Sequence, residues 1–169
     1  MPALQSQLLT QLNQLLLLQS TEASQYASDD EFELGVSLMA SIACQVIVED
    51  SAVDIAWDGG VLRSRSPMGL LDDSCRIHTV RGVYPSLREF VRRSGARLAV
   101  PSLVMIVVGS RVDAGQLRSI STLYGSDTEV IALRADLDGE ARLSRIGAVT
   151  VISVTALREL APLLDRAGR

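Results

Sequence analysis

The chain contains no lysine; all 16 of its cationic side chains are arginine. That absence excludes a P-loop lysine, a Schiff-base lysine and a lysine general base, whatever the fold. Histidine occurs once, at His78. A His-paired zinc site and a Ser-His-Asp triad are therefore not expected, and His78, in a polar stretch, reads as a surface residue. The two cysteines, Cys44 and Cys75, form neither a CxxC pair nor a disulfide framework. Cys44 sits among Ile42, Ala43, Val46 and Ile47 and reads as a small buried hydrophobe. Long apolar runs are also missing. Leu15 to Leu18 and Leu103 to Val108 fall far short of the ~20 residues a membrane span requires. No charged segment precedes the first leucines, so no secretory signal is expected. A reducing cytoplasm is the expected compartment, without membrane insertion.

What is present describes an ordinary globular chain. Its 169 residues suffice for one domain with a full core, and 47% apolar with 21% charged residues excludes wholesale disorder. A net charge of −4 argues against nucleic acid as a partner.

From about residue 30 the pattern alternates helix and strand. Asp29 and Asp30 can cap a helix in which Phe32, Val36, Met39, Ala43, Val46 and Ile47 recur at helical spacing. Residues 52–57 and 61–65 flank Asp58-Gly59-Gly60 and read as a hairpin, with Asp-Gly supplying the positive φ of a tight turn. Residues 67–76 read as a short helix or loop, and 84–93 as a helix with Pro85 near its start and Gly95 beyond its end. Leu103 to Val108 is an unalternating apolar run, as expected of a parallel strand buried on both faces. A helix over 113–124, a strand over 129–134, a short helical turn over 141–146 and a strand over 149–154 follow. Thr155 is expected to cap a last helix carrying Leu157, Leu160, Leu163 and Leu164. The N-terminal segment is ambiguous. Leu4, Leu8, Leu12 and Leu15 fit a helical stripe, yet Leu15 to Leu18 fits a buried strand. Topology favours a strand over 13–19, preceded by an arm over 1–12. The expected architecture is a three-layer α/β domain spanning 1–169.

Motifs with chemistry are scarce. Gly109-Ser110-Arg111-Val112-Asp113-Ala114-Gly115 joins a strand to a helix but has neither P-loop nor GxGxxG spacing, and reads as a plain turn. No GxSxG elbow occurs. Neither a catalytic set nor a cofactor is expected. Arg88, Arg92 and Arg93 share one helix, with Arg97 beyond it. They read as a solvated face or, more sharply, as a patch for an acidic partner.

Three segments resemble a known family. Asp29 to Ser41 looks like the first helix of the von Willebrand factor A-like domain in the bacterial domain-of-unknown-function family 58, actinobacterial branch. Met105 to Ser110, Gln116-Leu117-Arg118 and Val130 to Arg134 are similar to its second half, as is Leu143 to Val151. The resemblance spans residues 15–169. It implies a Rossmann-like, mostly parallel sheet of about six strands, order 3-2-1-4-5-6, with one antiparallel edge strand. Members usually carry membrane helices and a further segment ahead of this domain, and this chain is expected to be either a natural short version or the product of a start codon placed inside a longer gene. The resemblance also implies where Mg²⁺ would bind in metal-dependent members, at an Asp-x-Ser-x-Ser after the first strand. Here those positions read Gln19-Ser20-Thr21-Glu22-Ala23. The later aspartate is replaced by Gly109-Ser110-Arg111. The site is therefore expected to be degenerate, with no metal.

Three functional expectations follow, the third being a truncated fragment of a membrane-anchored protein with no independent role. The first is a non-catalytic protein-interaction domain whose partner, by resemblance, is a MoxR-type AAA ATPase. The second is a small-molecule or nucleotide binder, or an enzyme, using the C-terminal edge of the sheet, where Gln19, Ser20, Thr21, Ser110 and Arg111 would line the crevice. Leu4, Leu8, Leu9 and Leu12 form a leucine stripe expected to be an interface, with a homo-oligomer as the simplest outcome.

Overall fold

The structure, a computed structural model, describes residues 14–63, 65–96 and 100–169. The interface candidates Leu4, Leu8, Leu9 and Leu12, and Arg97, lie outside the described residues.

Strand β1 (Leu15–Gln19) occupies the middle of a seven-stranded sheet of order β3-β2-β1-β4-β5-β7-β6. The others are β2 (Val53–Trp57), β3 (Gly60–Leu62), β4 (Leu103–Gly109), β5 (Glu129–Ala135), β6 (Arg142–Ile146) and β7 (Val149–Val154). Every residue of β1 and β4 is buried. The reason is visible in where alternate side chains go. Leu15 and Leu17 join Met105, Val107 and Leu133 in one apolar layer, while Leu16 and Leu18 join Ile106, Val108 and Ala132 in the other. A strand covered on both faces has no solvated side to mark with polar residues, so the run of four leucines is a strand and not a helical stripe.

Helix α1 (Asp29–Val48) fills the first layer with Phe32, Met39, Ile42 and Val46. Helices α2 (Pro67–Ser74) and α5 (Leu160–Ala167) add Leu70, Leu160 and Leu164 to the same side. On the other face, α3 (Leu87–Gly95) contributes Phe90 and Val91, and α4 (Ala114–Ile120) contributes Leu117 and Ile120. By length and apolarity α1 would also pass as a membrane span, which a search for uninterrupted apolar runs overlooks. Yet 61% of its most apolar window is buried within the fold. It is apolar because it is a core helix.

The three-layer α/β architecture is as expected, with one difference in the sheet. Among the described residues the strands number seven, and both edges, β3 and β6, are antiparallel. The segment 141–146, expected as a helical turn, is β6, paired with β7 through Ile146↔Val149. Gly147, at φ 60°, and Ala148 make the two-residue turn. A glycine with positive φ opening such a turn is a hairpin signal, and the pairing it enforces overrides the local preference of the short polar segment.

Several ends shift for local reasons. The cap of α1 is Ser28, whose hydroxyl accepts the Glu31 N–H, and Asp29 and Asp30 fall in the first turn. Helix α3 starts after Ser86, which caps it through the Glu89 N–H, and Gly95 is its last residue. Helix α4 opens on a reciprocal capping box between Asp113 and Gln116 and ends at Ile120. Thr155 does not cap the last helix; its N–H and hydroxyl donate to the Glu159 carboxylate. In the β2–β3 hairpin the positive φ, 151°, belongs to Gly60 and not to Asp58. Asp58 instead turns inward.

Placing a carboxylate in either apolar layer is the direct test of β1. Leu16→Asp and Leu17→Asp each remove a fully buried leucine, about 1.5–3 kcal/mol, and bury an unpaired charge at a further cost of several kcal/mol. Against a total stability of about 5–15 kcal/mol, neither variant should give soluble protein with a cooperative circular-dichroism melt. A normal melt for either would remove β1 from the sheet centre.

Candidate functional site

In an open α/β sheet the ligand crevice lies at the strand C-termini where the strand order reverses, here between β1 and β4. Gln19, Ser20 and Thr21 all lie at that point, 0%, 1% and 0% exposed. Ser110 is alongside at the end of β4, half-buried, and Arg111 is exposed. The structure thus gathers Gln19, Ser20, Thr21 and Ser110, and leaves the Arg111 side chain outside.

The crevice is filled by the chain itself. A 3₁₀ turn, Ala23–Gln25, brings Gln25 and Tyr26 back over the strand ends. The Tyr26 hydroxyl donates to the Ser20 carbonyl at 2.5 Å and accepts from Gln19 Nε2 at 3.0 Å. Ser20 Oγ donates to Gln25 Oε1 at 2.7 Å, and the Arg111 N–H donates to the Gln25 carbonyl at 3.0 Å. The approach is so close that a Cβ on Gly109 would lie 2.2 Å from the Gln25 carbonyl oxygen, which leaves glycine as the only residue that fits there. On its other side the loop is held by residues 80–82. Val80 N–H donates to the Thr21 carbonyl, Ala23 N–H donates to the Val80 carbonyl, and Gly82 N–H donates to Glu22 Oε1.

Two buried carboxylates lock this closure. Glu31 is 2% exposed. Its Oε1 accepts the Ser110 N–H and hydroxyl at 2.8 Å each and the Ala27 N–H at 3.0 Å. It therefore clamps the end of β4 to the start of α1. Arg134 Nη2 donates to the Ser110 carbonyl, so every polar group of Ser110 is engaged. Asp58 Oδ1 accepts the Thr21 N–H at 2.7 Å. Burial pushes the Asp58 carboxyl above its ordinary value, the Thr21 N–H opposes the shift, and the Glu22 charge adds to it. Tyr26, Glu31, Asp58 and Arg134 were not singled out from sequence. Ser28-x-x-Glu31 does spell a capping box, but its reach to Ser110 spans 79 residues.

The site is poor in carboxylates for a hard divalent cation, although three of its buried oxygens, Gln19 Oε1, Thr21 Oγ1 and Glu22 Oε2, have no hydrogen-bond partner. Gln19, in the place of the leading carboxylate, directs its amide nitrogen at Tyr26 and the Ser20 carbonyl. Ser20 is committed to Gln25, Glu31 Oε1 already takes three donors, and Asp113 is held in its capping box. Among the described residues no three His, Cys, Asp or Glu side chains cluster as metal ligands.

Elsewhere, His78 is exposed, with its ring edge-on to Trp57 at 5.1 Å. Cys44 is half-buried against the core of the first layer, and burial pushes its thiol up; Cys75 is exposed. Arg88 ties α3 to α4 through the Ser119 carbonyl, while Arg92 and Arg93 converge on Glu89. Two open clefts lie elsewhere on the fold. A cleft of about 620 Å³ is lined by Tyr124, Thr128, Arg145 and Thr150. A groove of about 590 Å³ separates the β2–β3 hairpin from α3.

No protein-family model matches the chain, and no curated protein matches it.

The site yields two checks. Millimolar Mg²⁺ or Mn²⁺ should leave the melting temperature unchanged, since a cation stabilises only by binding the native state; a saturable rise would show that the unpaired oxygens of Gln19, Thr21 and Glu22 take the ion after all. Burial raises the Tyr26 hydroxyl far above its ordinary value near 10. The native state therefore keeps a proton that the unfolded chain loses, and stability falls as pH rises above about 10. Tyr26→Phe should cost about 1–2 kcal/mol at neutral pH and make the alkaline decline shallower by up to about 1.4 kcal/mol per pH unit. Denaturant melts across pH 8–11.5 (roughly the window spanning free tyrosine ionisation) measure both, and parallel declines would contradict the role given to the Tyr26 hydroxyl.

Proposed function

We propose that this chain is a non-catalytic protein-interaction domain of the von Willebrand A type, with a degenerate metal site, acting in the cytoplasm. The observation that carries the reading is the closure of the switch-point crevice. Gln25 and Tyr26 occupy the place where an open α/β sheet takes its ligand, and their polar groups are bonded to Gln19, Ser20 and Arg111. A crevice built shut in this way supports a role for the surface over a role for the strand ends. By the family resemblance the partner is a MoxR-type AAA ATPase, and the leucine stripe over residues 4–12 is the surface for self-association.

Light scattering after size exclusion tests both. The chain alone should run above monomer mass, and mixing it with a MoxR-type ATPase from the same genome should give a stable complex. Absence of a complex, together with a melting-temperature rise on adding nucleotides or sugar phosphates, would overturn the reading in favour of a small-molecule site at the sheet edge.

A further inference from the structure

The groove between the β2–β3 hairpin and α3 combines three features that the closed crevice lacks. The first is a free strand edge. Among the described residues β3 ends the sheet order and pairs with β2 alone. Trp57 and Gly60 close a two-residue loop, so they form the hydrogen-bonded pair. Hydrogen-bonded and non-bonded pairs alternate along an antiparallel ladder. The next pair, Ala56↔Val61, therefore turns the N–H and C=O of Val61 outward, away from β2.

The second feature is an apolar floor. Ala56, Val61 and Tyr84 line the groove, and Val61 is 57% exposed. The third is positive charge on the facing wall. Arg92 and Arg93 both bind the single carboxylate of Glu89, at half-exposed positions, which leaves one cation in excess. Arg93 also lies 5.6 Å from the centre of the Tyr84 ring. Arg63, exposed, follows β3 directly. Asp58, also in the lining, turns its carboxylate inward to the Thr21 N–H.

The geometry points to an extended acidic segment of a partner protein, added as a strand to the edge of β3 with its carboxylates on Arg92 and Arg93. Strand addition draws affinity from main-chain hydrogen bonds and specificity from alternate side chains. Only every second side chain of the added strand faces the groove, and there it meets the arginines with Val61 and Ala56 beneath its stem, so an acidic-apolar alternation gathers its carboxylates on the arginine side and turns its apolar side chains to the other face. The whole chain is acidic, at −4, so attraction is confined to this wall and should weaken with salt. This inference rests on the reading of the chain as an interaction domain and names the surface and the chemistry of the partner.

Trp57, the chain's single tryptophan, lines the same groove, so its emission reports occupancy without a label. The probe is an acetylated and amidated peptide of three Glu-Val repeats, titrated into the full chain at low salt, with three Lys-Val repeats as the control. The acidic peptide should give a saturable change in Trp57 emission and the basic one none. Arg92→Glu combined with Arg93→Glu should weaken binding about tenfold or more, as two lost charge contacts imply. Methylating alternate peptide amides should abolish it. Proline is tolerated on an edge strand where its nitrogen faces solvent, so Val61→Pro should keep its melting temperature and lose the peptide. No emission change with the acidic peptide, equal binding of the basic peptide, or binding indifferent to Val61→Pro and to the arginine reversals would each overturn the proposal. So would a dimer of the chain that Val61→Pro dissolves, because a second copy would then own the edge. An ATPase complex that forms although the peptide fails leaves the interaction domain standing and removes only this surface.

Discussion

A strand buried on both faces can carry no polar side chain until it leaves the sheet. β1 meets this constraint with four leucines, and its polar residues begin at the last position, Gln19. Gln19, Ser20 and Thr21 remain buried because the loop that follows turns back over them. Their polar groups then need partners inside the protein, since an unsatisfied buried donor or acceptor costs about 1–3 kcal/mol. Tyr26, Gln25 and Asp58 supply most of them, while Gln19 Oε1 and Thr21 Oγ1 stay buried without one. The closure of the crevice is thus a consequence of how the central strand is buried, and not an independent ornament of the loop.

Glu31 extends the same logic across the sheet. Glu31 is 2% exposed, and a buried carboxylate needs hydrogen-bond donors around it. Its three donors come from two segments, the start of α1 and the end of β4. Moving either segment away to admit a ligand would leave the buried carboxylate without donors. The clamp therefore fixes the spacing of β4 and α1 and makes opening of the switch point costly. Ser110, which from sequence could have faced a ligand, is instead the piece that the clamp holds.

Much of this fold could be read before any coordinates. The leucine and valine runs of β1 and β4 betray burial on two faces, and the acidic start and apolar stripe of α1 mark a core helix. β6 escaped because Arg142, Ser144 and Arg145 carry little strand preference, and its conformation comes from pairing with β7 across Gly147. The candidate site divides along the same line. Gln19, Ser20, Thr21 and Ser110 follow from their position after strands. The roles of Tyr26, Glu31 and Arg134 depend on which distant backbone group each one meets, and no local pattern encodes that.

The edges of the sheet complete the picture. Parallel strands are covered by crossovers, and the two antiparallel additions, β3 and β6, are what remain at the rims. β6 is five residues long and carries Arg142 and Arg145, charges of the kind that discourage pairing with another chain. β3 is protected chiefly by being short, three residues, and its flank, Arg63, is cationic. A cationic flank repels other cationic edges but welcomes an acidic strand. The same device that guards against indiscriminate aggregation thus acts as a filter on the charge of what can add there, and the neighbouring arginines of α3 set that filter in the same direction.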